Sequence, residues 1–478
     1  MLLDSDACFR AVRARDRRFD GRFFVGVAST GIYCRPICPA RPPKRDNMRF
    51  YSSAAAAESA GFRPCLRCRP ERAPGVATVD ATSRLVGAAI AGIEEHALSN
   101  ARVGELAASL GVSDRHLRRV TEAELGVSPI ELAQTQRLLL AKRLLSETSL
   151  SVTEIAFASG FGSLRRFNAL FKARYKLSPR ALREDRDAAG GLRCQLEFRP
   201  PLAWDSLLAY LRLRAIPGVE WVDGTHYRRT VAIGETEGWI AVSLANSGVA
   251  LDVEMSQSLA PVIGAVIVRV KHLFDLGAAP DAVSALLSQD PMLAGAVRRL
   301  PGLRVAGAFD GFELAVRAVL GQQVSVKAAT TMAGRWAQSF GAPIATPYPE
   351  LNRLTPNAQR MADIAADDIA ALGIVGSRAR CLVVLAQAVI KRRVVLAYAA
   401  NVEEQVEALQ RLPGIGPWTA QYIAMRALHW PDAFPGTDLM LLKAAKTNKR
   451  QLHARAEAWR PWRAYATHYL WQSSGVFP

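Results

Sequence analysis

Four cysteines fall within 35 residues, spaced Cys34-x3-Cys38, then 26 intervening residues, then Cys65-x2-Cys68. Four thiolates at this spacing suit a closed tetrahedral zinc site in a module too small for a large core. No histidine lies between residues 1 and 95, which argues against a mixed site. Arg35, Arg41, Lys44, Arg45, Arg49, Arg63, Arg67, Arg69 and Arg72 surround the four. Cationic neighbours and a metal both favour thiolate, the nucleophilic form of sulfur. Spacing alone describes a structural zinc knuckle; the cationic surroundings add a reason to expect reactivity. The other three cysteines, Cys8, Cys194 and Cys381, are scattered and read as small core hydrophobes. An odd total of seven does not suit a disulfide framework.

A second chemical centre lies near the C-terminal end. Leu412-Pro413-Gly414-Ile415-Gly416-Pro417-Trp418-Thr419 joins a helix over Val406–Leu412 to another opening at Pro417, a favoured first helical residue. Glycines at 414 and 416 let the backbone approach a DNA phosphate, and the following helix start, with Thr419, offers donors to it. This helix-hairpin-helix pattern by itself means DNA binding. Twenty-two residues beyond Gly416 stands Asp438, in Phe434-Pro435-Gly436-Thr437-Asp438. Thr437 reads as an N-cap, which sets the carboxylate at the positive end of a helix. Trp418, Tyr422 and Trp471 are either packing residues or a stacking surface.

The elements that position these groups form four units. Residues 1–75 make a zinc module and 82–186 an all-α module. Residues 192–300 make a mixed α/β module, with strands at 192–198, 239–244 and 249–253 by their alternation. Residues 301–478 make a second all-α module, so the fold class is multidomain α+β. Residues 184–191 read as a flexible joint. The first helical unit repeats itself. Val103–Ser113 resembles Val152–Gly162 at a spacing of 49 residues, and each copy later reaches a Ser-Pro, at Ser128-Pro129 and Ser178-Pro179. Each repeat reads as a helix-turn-helix with turns at Gly111 and Gly160. The recognition helices are Ser113–Val120, carrying Arg115, His116, Arg118 and Arg119, and Ser163–Phe171, carrying Arg165, Arg166 and Asn168. Leu117 and Phe167 turn to the core, and a long helix over Glu131–Ser146 joins the repeats.

Composition agrees. Lys plus Arg number 61 against 43 Asp plus Glu, a net charge of +18, with 31 of the bases and 20 of the acids in residues 1–190. A basic excess of this size fits a nucleic-acid binder. No run approaches 18 apolar residues and the start lacks a secretory h-region, so the chain reads as cytoplasmic, without a membrane partner.

Thr30–Arg41 together with Gly61–Cys68 resembles the N-terminal domain of the Ada family of alkylation-response proteins. Gly160-Phe161-x-Ser163 and Phe167-x-x-x-Phe171-Lys172 are similar to the AraC-type DNA-binding domain. The Pro-Cys-His-Arg motif of a second Ada methyl acceptor is missing, so repair of O6-alkylguanine is not expected. The hairpin with Asp438, Ala318–Val326 and Trp459–Ala466 resemble the helix-hairpin-helix glycosylases of the AlkA type.

The Ada resemblance implies one zinc ion on Cys34, Cys38, Cys65 and Cys68. It also implies that Cys34 takes a methyl group irreversibly from DNA methylphosphotriesters, and that the lost negative charge strengthens DNA binding. The glycosylase resemblance implies Asp438 as catalytic carboxylate, Trp418, Tyr422 and Trp471 as the pocket for a flipped cationic purine, and Gln322 and Gln323 at DNA. Arg45 joins Gly414, Gly416, Thr419 and the recognition-helix residues as DNA contacts. Trp418 stands where lyase-type relatives carry a lysine, so hydrolysis without strand nicking is expected. Gln323 replaces the leucine wedge of the best-known pattern, and no four-cysteine iron–sulfur set follows the hairpin. Expected partners are alkylated and promoter double-stranded DNA and RNA polymerase. The alternative is a transcription regulator whose last domain only grips DNA.

Overall fold

The computed structural model describes residues 4–75, 84–96, 103–183, 192–397 and 401–473, so the joint at 184–191 lies outside it. Two compact units are present: residues 1–200 with 245–268 and 276–278, and residues 201–244 with 269–275 and 279–478.

The first unit opens on a four-stranded sheet that the sequence reading missed. Its strands are β1 (Phe24–Val27), β2 (Ile32–Cys34), β3 (Met48–Tyr51) and β4 (Arg63–Pro64), in the order β3-β1-β2-β4. Strands of two to four residues are too short to show an alternating pattern, which hid them. β1 pairs antiparallel with β2 and β3, whereas β4 runs parallel to β2, setting Tyr33 opposite Pro64. That parallel pairing is what brings the second cysteine pair to the first. Phe23, Val25 and Met48 pack against Cys8, Ala11 and Val12 of the helix Ser5–Ala14 on one side. On the other, Phe24 and Tyr33 pack with Ala54, Ala57 and Leu139.

The helical part follows the repeat. Val103–Ser109 and Asp114–Leu125 form the first pair, Val152–Ala158 and Leu164–Tyr175 the second. Gly111 and Gly160 turn at φ +71° and +80°, conformations that glycine adopts freely. Ser113 and Ser163 cap the second helix of each pair. Both recognition helices run past the expected ends, to Leu125 and Tyr175, because left-handed Gly126 and Lys176 stop them. The joining helix is Pro129–Glu147, longer than expected at each end. Ser128 and Glu131 form a capping box in front of a proline at the first position. Phe161, Phe167, Phe171 and Tyr175 form a ladder of ring contacts 4.7–5.5 Å between centroids.

Strands β5 (Leu192–Glu197) and β9 (Ala250–Met255) pair antiparallel within this first unit, so the α/β module at 192–300 is split between the two units. β5 packs on the joining helix and on the turn Pro70–Arg72. In the second unit, β6 (Glu220–Val222), β7 (His226–Ile233) and β8 (Thr236–Leu244) form an antiparallel meander. β6 and β7 were not expected: buried Arg229 and Thr230 interrupt the apolar alternation of β7. The remainder of this unit is helical. Val402–Gln410 leads into the hairpin, starting earlier than expected because Asn401 caps it, and Pro417–Arg426 leads out. The helix Arg463–Ser473 is buried on nearly all sides. Among the described residues, no helix is long and apolar enough to cross a membrane.

Candidate functional sites: a four-thiolate cluster and a carboxylate in an aromatic cage

Cys34 ends β2 and Cys65 follows β4, so the parallel pairing of those strands sets the two side by side. Tight turns bring Cys38 and Cys68 back to them, and the four Sγ atoms all lie within 4.8 Å of one another. Zinc–sulfur bonds of about 2.3 Å imply tetrahedron edges of about 3.8 Å, so the cluster fits a zinc ion. Cys65 and Cys68 are buried, whereas Cys34 and Cys38 are half-exposed beside a cavity of about 500 Å³. Of the cations predicted around the cluster, Arg41, Arg63 and Arg67 line that cavity together with Arg35.

Several of these cations are committed to structure instead. The Arg35 guanidinium is 2% exposed, donates to both carboxylate oxygens of Asp20, and lies 2.6 Å from Glu197. The Arg35 backbone N–H donates to Cys68 Sγ at 3.3 Å. Arg69 and Arg72 bind Glu147 of the joining helix, and Lys142 binds Glu71 at 2.5 Å. Arg45, expected at DNA, bonds to Asp6 at 2.7 Å and lies over Phe9 and Phe50. Sequence showed the positive charge but not the carboxylates folded onto it.

In the paired helices, Leu117 and Phe167 are fully buried while Arg115, Arg118, Arg165, Arg166 and Asn168 are exposed. The cap serines fix this phase, since each sets the start from which the 3.6-residue period runs.

In the second unit, Asp438 is itself the N-cap of Leu439–Ala445, which corrects the assignment to Thr437. Its Oδ1 accepts from the Met440 and Leu441 amides at 2.9 and 3.0 Å and from Trp471 Nε1 at 3.2 Å. Its Oδ2 accepts from Trp418 Nε1 at 2.8 Å. Two backbone amides and two indoles thus orient one carboxylate. Trp418 and Tyr422, one helical turn apart, stack with centroids at 5.2 Å and planes 10° apart. Trp471 is 6.4 Å from Tyr422. The sequence-named aromatic set and Asp438 are therefore one cluster.

The hairpin beside it is backbone-built. Gly414 has φ +90°, and a Cβ there would meet Cys381 Sγ at 3.1 Å. Gly414 and Gly416 are exposed, but Thr419 is only 3% exposed, which corrects its placement as a phosphate donor. The Gln322 amide explains this: it donates to Thr419 Oγ1 at 2.9 Å and to the Gly414 carbonyl at 2.8 Å. Gln322 and Thr419 brace the hairpin. Gln323 is exposed with φ +53°, at the tip of the adjoining turn.

Comparison with known proteins follows this division. Family models match the metal binding domain of Ada over residues 7–71, a helix-turn-helix domain over 106–185, the AlkA N-terminal domain over 193–310, and the HhH-GPD superfamily of base excision DNA repair proteins over 316–462. A probable bifunctional transcriptional activator/DNA repair enzyme AlkA of Mycobacterium tuberculosis is 38% identical over 98% of this chain and 96% of its own length. The chain belongs to this Ada–AlkA family. Within it, residues of the C-terminal part are 35% identical to DNA-3-methyladenine glycosylase 2 of Escherichia coli, covering 59% of this chain and 98% of that one. A 3-methyladenine DNA-glycosylase from Archaeoglobus fulgidus shares the fold with a TM-score of 0.52 at 19% identity, over 59% of this chain and 99% of that one.

This Ada–AlkA chain also surrounds its aromatic cluster with groups that the sequence reading did not name. Arg426 Nη1 donates to Tyr422 Oη at 2.9 Å, and Tyr210 Oη lies 3.3 Å from the same oxygen. His468 sits against both Tyr210 and Trp471, with centroids at 5.1 Å. The spacing of Tyr422 and Arg426 by four on one helix was the available signal. Tyr210 lies in a helix (Trp204–Arg212) distant in sequence, and no local pattern points to it.

Proposed function

We propose that this chain combines two repair chemistries with DNA-directed regulation in the response to DNA alkylation. In the first, Cys34 Sγ attacks the methyl carbon of a methylphosphotriester; the S–C bond forms, the C–O bond breaks, and a phosphodiester anion leaves. Cys34, Cys38, Cys65 and Cys68 would hold one zinc ion, which keeps the sulfurs as thiolates. The paired helices place Arg115, Arg118, Arg165, Arg166 and Asn168 at successive major grooves of a promoter, with RNA polymerase as the partner in a cytoplasmic setting.

In the second chemistry, an alkylated purine such as 3-methyladenine is flipped into the aromatic cluster and its N-glycosidic bond is hydrolysed. The bonding pair leaves with the base, positive charge develops on the sugar, and Asp438 stabilises it and steers water to C1′. Trp418, at the position where a lyase would carry lysine, leaves hydrolysis without nicking. Gly414 and Gly416 grip the phosphate backbone, and Gln323 stands where the wedge would enter. The observation that carries this reading is the Asp438 carboxylate, held by four N–H donors amid three aromatic rings.

Asp438→Asn tests it. Loss of one transition-state electrostatic contact costs about 10²–10³ in rate, so release of 3-methyladenine from methylated duplex should fall at least that far while DNA binding survives. Wild type should leave a strand that breaks only on alkali. Near-normal release by the variant would remove Asp438 from the mechanism.

A further inference from the structure

Behind the aromatic cluster the charge does not balance. Arg214, Arg229, Arg317 and Arg426 line one small cavity of about 20 Å³, where the carboxylates among its lining residues are Glu220 and Glu313. Glu313 is engaged by Arg229 at 2.7 and 3.2 Å, and Glu220 accepts from Tyr227 Oη. Arg317 donates to Thr330, but its buried Nη1 meets no acceptor. Arg426 is anchored through Nε and Nη2 on the carbonyls of Ala306 and Gly307, which carry no charge to match its own. Its remaining nitrogen, Nη1, points at Tyr422 Oη. Buried cations require an anion nearby; Glu220 acts on Arg317 and Arg426 only through its field, and the acidic group hydrogen-bonded to Arg426 is a phenol.

We propose that Tyr422 works as a phenolate, giving the base pocket a negative wall that selects cationic N-alkylpurines over neutral bases. This rests on the glycosylase reading and names how its substrate class is chosen. Geometry supplies both donors that a phenolate oxygen needs. Arg426 donates from one side, and the Tyr210 hydroxyl, 3.3 Å away on the other, would donate to the ionised oxygen. Tyr210 suits that role: burial pushes its own phenol up to about 12, so it keeps its proton, and Arg214 lies 3.8 Å over its ring. For Tyr422, burial opposes ionisation, but Arg426, Arg214 and the two hydrogen bonds outweigh it and bring the phenol down to about 7. His468, on the opposing helix Arg463–Ser473, is held neutral by burial and by Arg426 and Arg214, so it adds no charge. On the other edge of the cluster, Asp438 reaches Trp418 and Trp471 by hydrogen bonds. A cationic purine would meet the anion through the ring stacked on Trp418, and a neutral base would gain nothing from it.

The test uses the full chain and two duplexes, one carrying cationic 7-methylguanine and one carrying neutral hypoxanthine. With an inflection at about 7, the phenolate fraction rises roughly tenfold from about pH 6 to about pH 8. Single-turnover release of 7-methylguanine should rise with it, and release of hypoxanthine should not. Tyr422→Phe should flatten the profile and cut the cationic-to-neutral preference about tenfold, the worth of one charge-assisted contact. Phenylalanine leaves Arg426 short of an acceptor, so 3-fluorotyrosine at position 422 provides a gentler change; its more acidic phenol should move the inflection to lower pH. Tyrosinate ultraviolet absorbance, followed across neutral pH without DNA, reads the ionisation independently of catalysis. Absence of a neutral-range tyrosinate, or identical profiles for both bases, overturns the proposal. Release of neither base, with the tyrosinate present, overturns the glycosylase reading and removes the selective role with it.

Discussion

A thiolate that accepts a methyl group must be approached along the line of the breaking C–O bond, so access separates four otherwise similar sulfurs. Cys34, Cys38 and Cys65 all line the cavity, but Cys65, like Cys68, is only 7% exposed, whereas Cys34 and Cys38 are less buried. Cys34 has Arg35 as its neighbour, but that guanidinium is already matched by Asp20 and Glu197 and adds little net positive field. In the proposed methyl transfer, the cations on the cavity wall left to draw substrate phosphate are Arg41, Arg63 and Arg67. Cys34→Ala should abolish transfer of labelled methyl from methylphosphotriester DNA and leave base excision intact, because Asp438 belongs to the other compact unit. Label still reaching this module in the variant would assign the acceptor elsewhere. At this scale the grouping of residues was legible where type and spacing define it, as with the four cysteines and the Asp438–aromatic set. It was illegible where a partner decides the role: Arg35 and Thr419 carry DNA-compatible groups that the fold engages internally.

Elements in this protein are held by caps and by side chains that bridge to backbone. The hairpin shows this most clearly. Its glycines make the close approach possible, but Gln322, from the turn after the helix Gly311–Leu320, fixes its position through two hydrogen bonds from a single amide. Each such bond contributes about 0.5–1.5 kcal/mol net. Gln322→Ala should therefore weaken binding to an abasic-site duplex by about five- to 150-fold. Release of base at saturating enzyme should change much less, since the Asp438 and aromatic contacts remain. A binding titration set beside single-turnover rates distinguishes the two, and a variant that binds normally would remove the brace from the account. Helices were readable in advance because serine caps, glycine turns and a 3.6-residue period act locally. The short strands β1 to β4 and the strand carrying Arg229 were not, because their register is set by partners distant in sequence. Tyr210 joined the pocket for the same reason.

For the whole molecule, a net charge of +18 makes DNA affinity strongly dependent on salt and on small changes of charge at the contact surface. Methylation at Cys34 turns one thiolate into a neutral thioether. Methylated protein should bind its promoter more tightly than unmodified protein in a gel-shift titration at one fixed salt concentration; equal affinities would leave the zinc module structural. Family boundaries and fold boundaries do not coincide in this chain. The helix-turn-helix match ends at residue 185 and the AlkA N-terminal match begins at 193. Yet Glu197, inside the latter, closes on buried Arg35 next to Cys34, and Arg199 bonds to the Gly75 carbonyl. A recombination breakpoint between those matches would look silent in sequence, but it could pair Arg35 with a strand lacking its carboxylate. Arg35 would keep Asp20 as its partner, so such an exchange removes one of two carboxylates from a buried guanidinium, and inheritance of the two halves is tied together through that second contact.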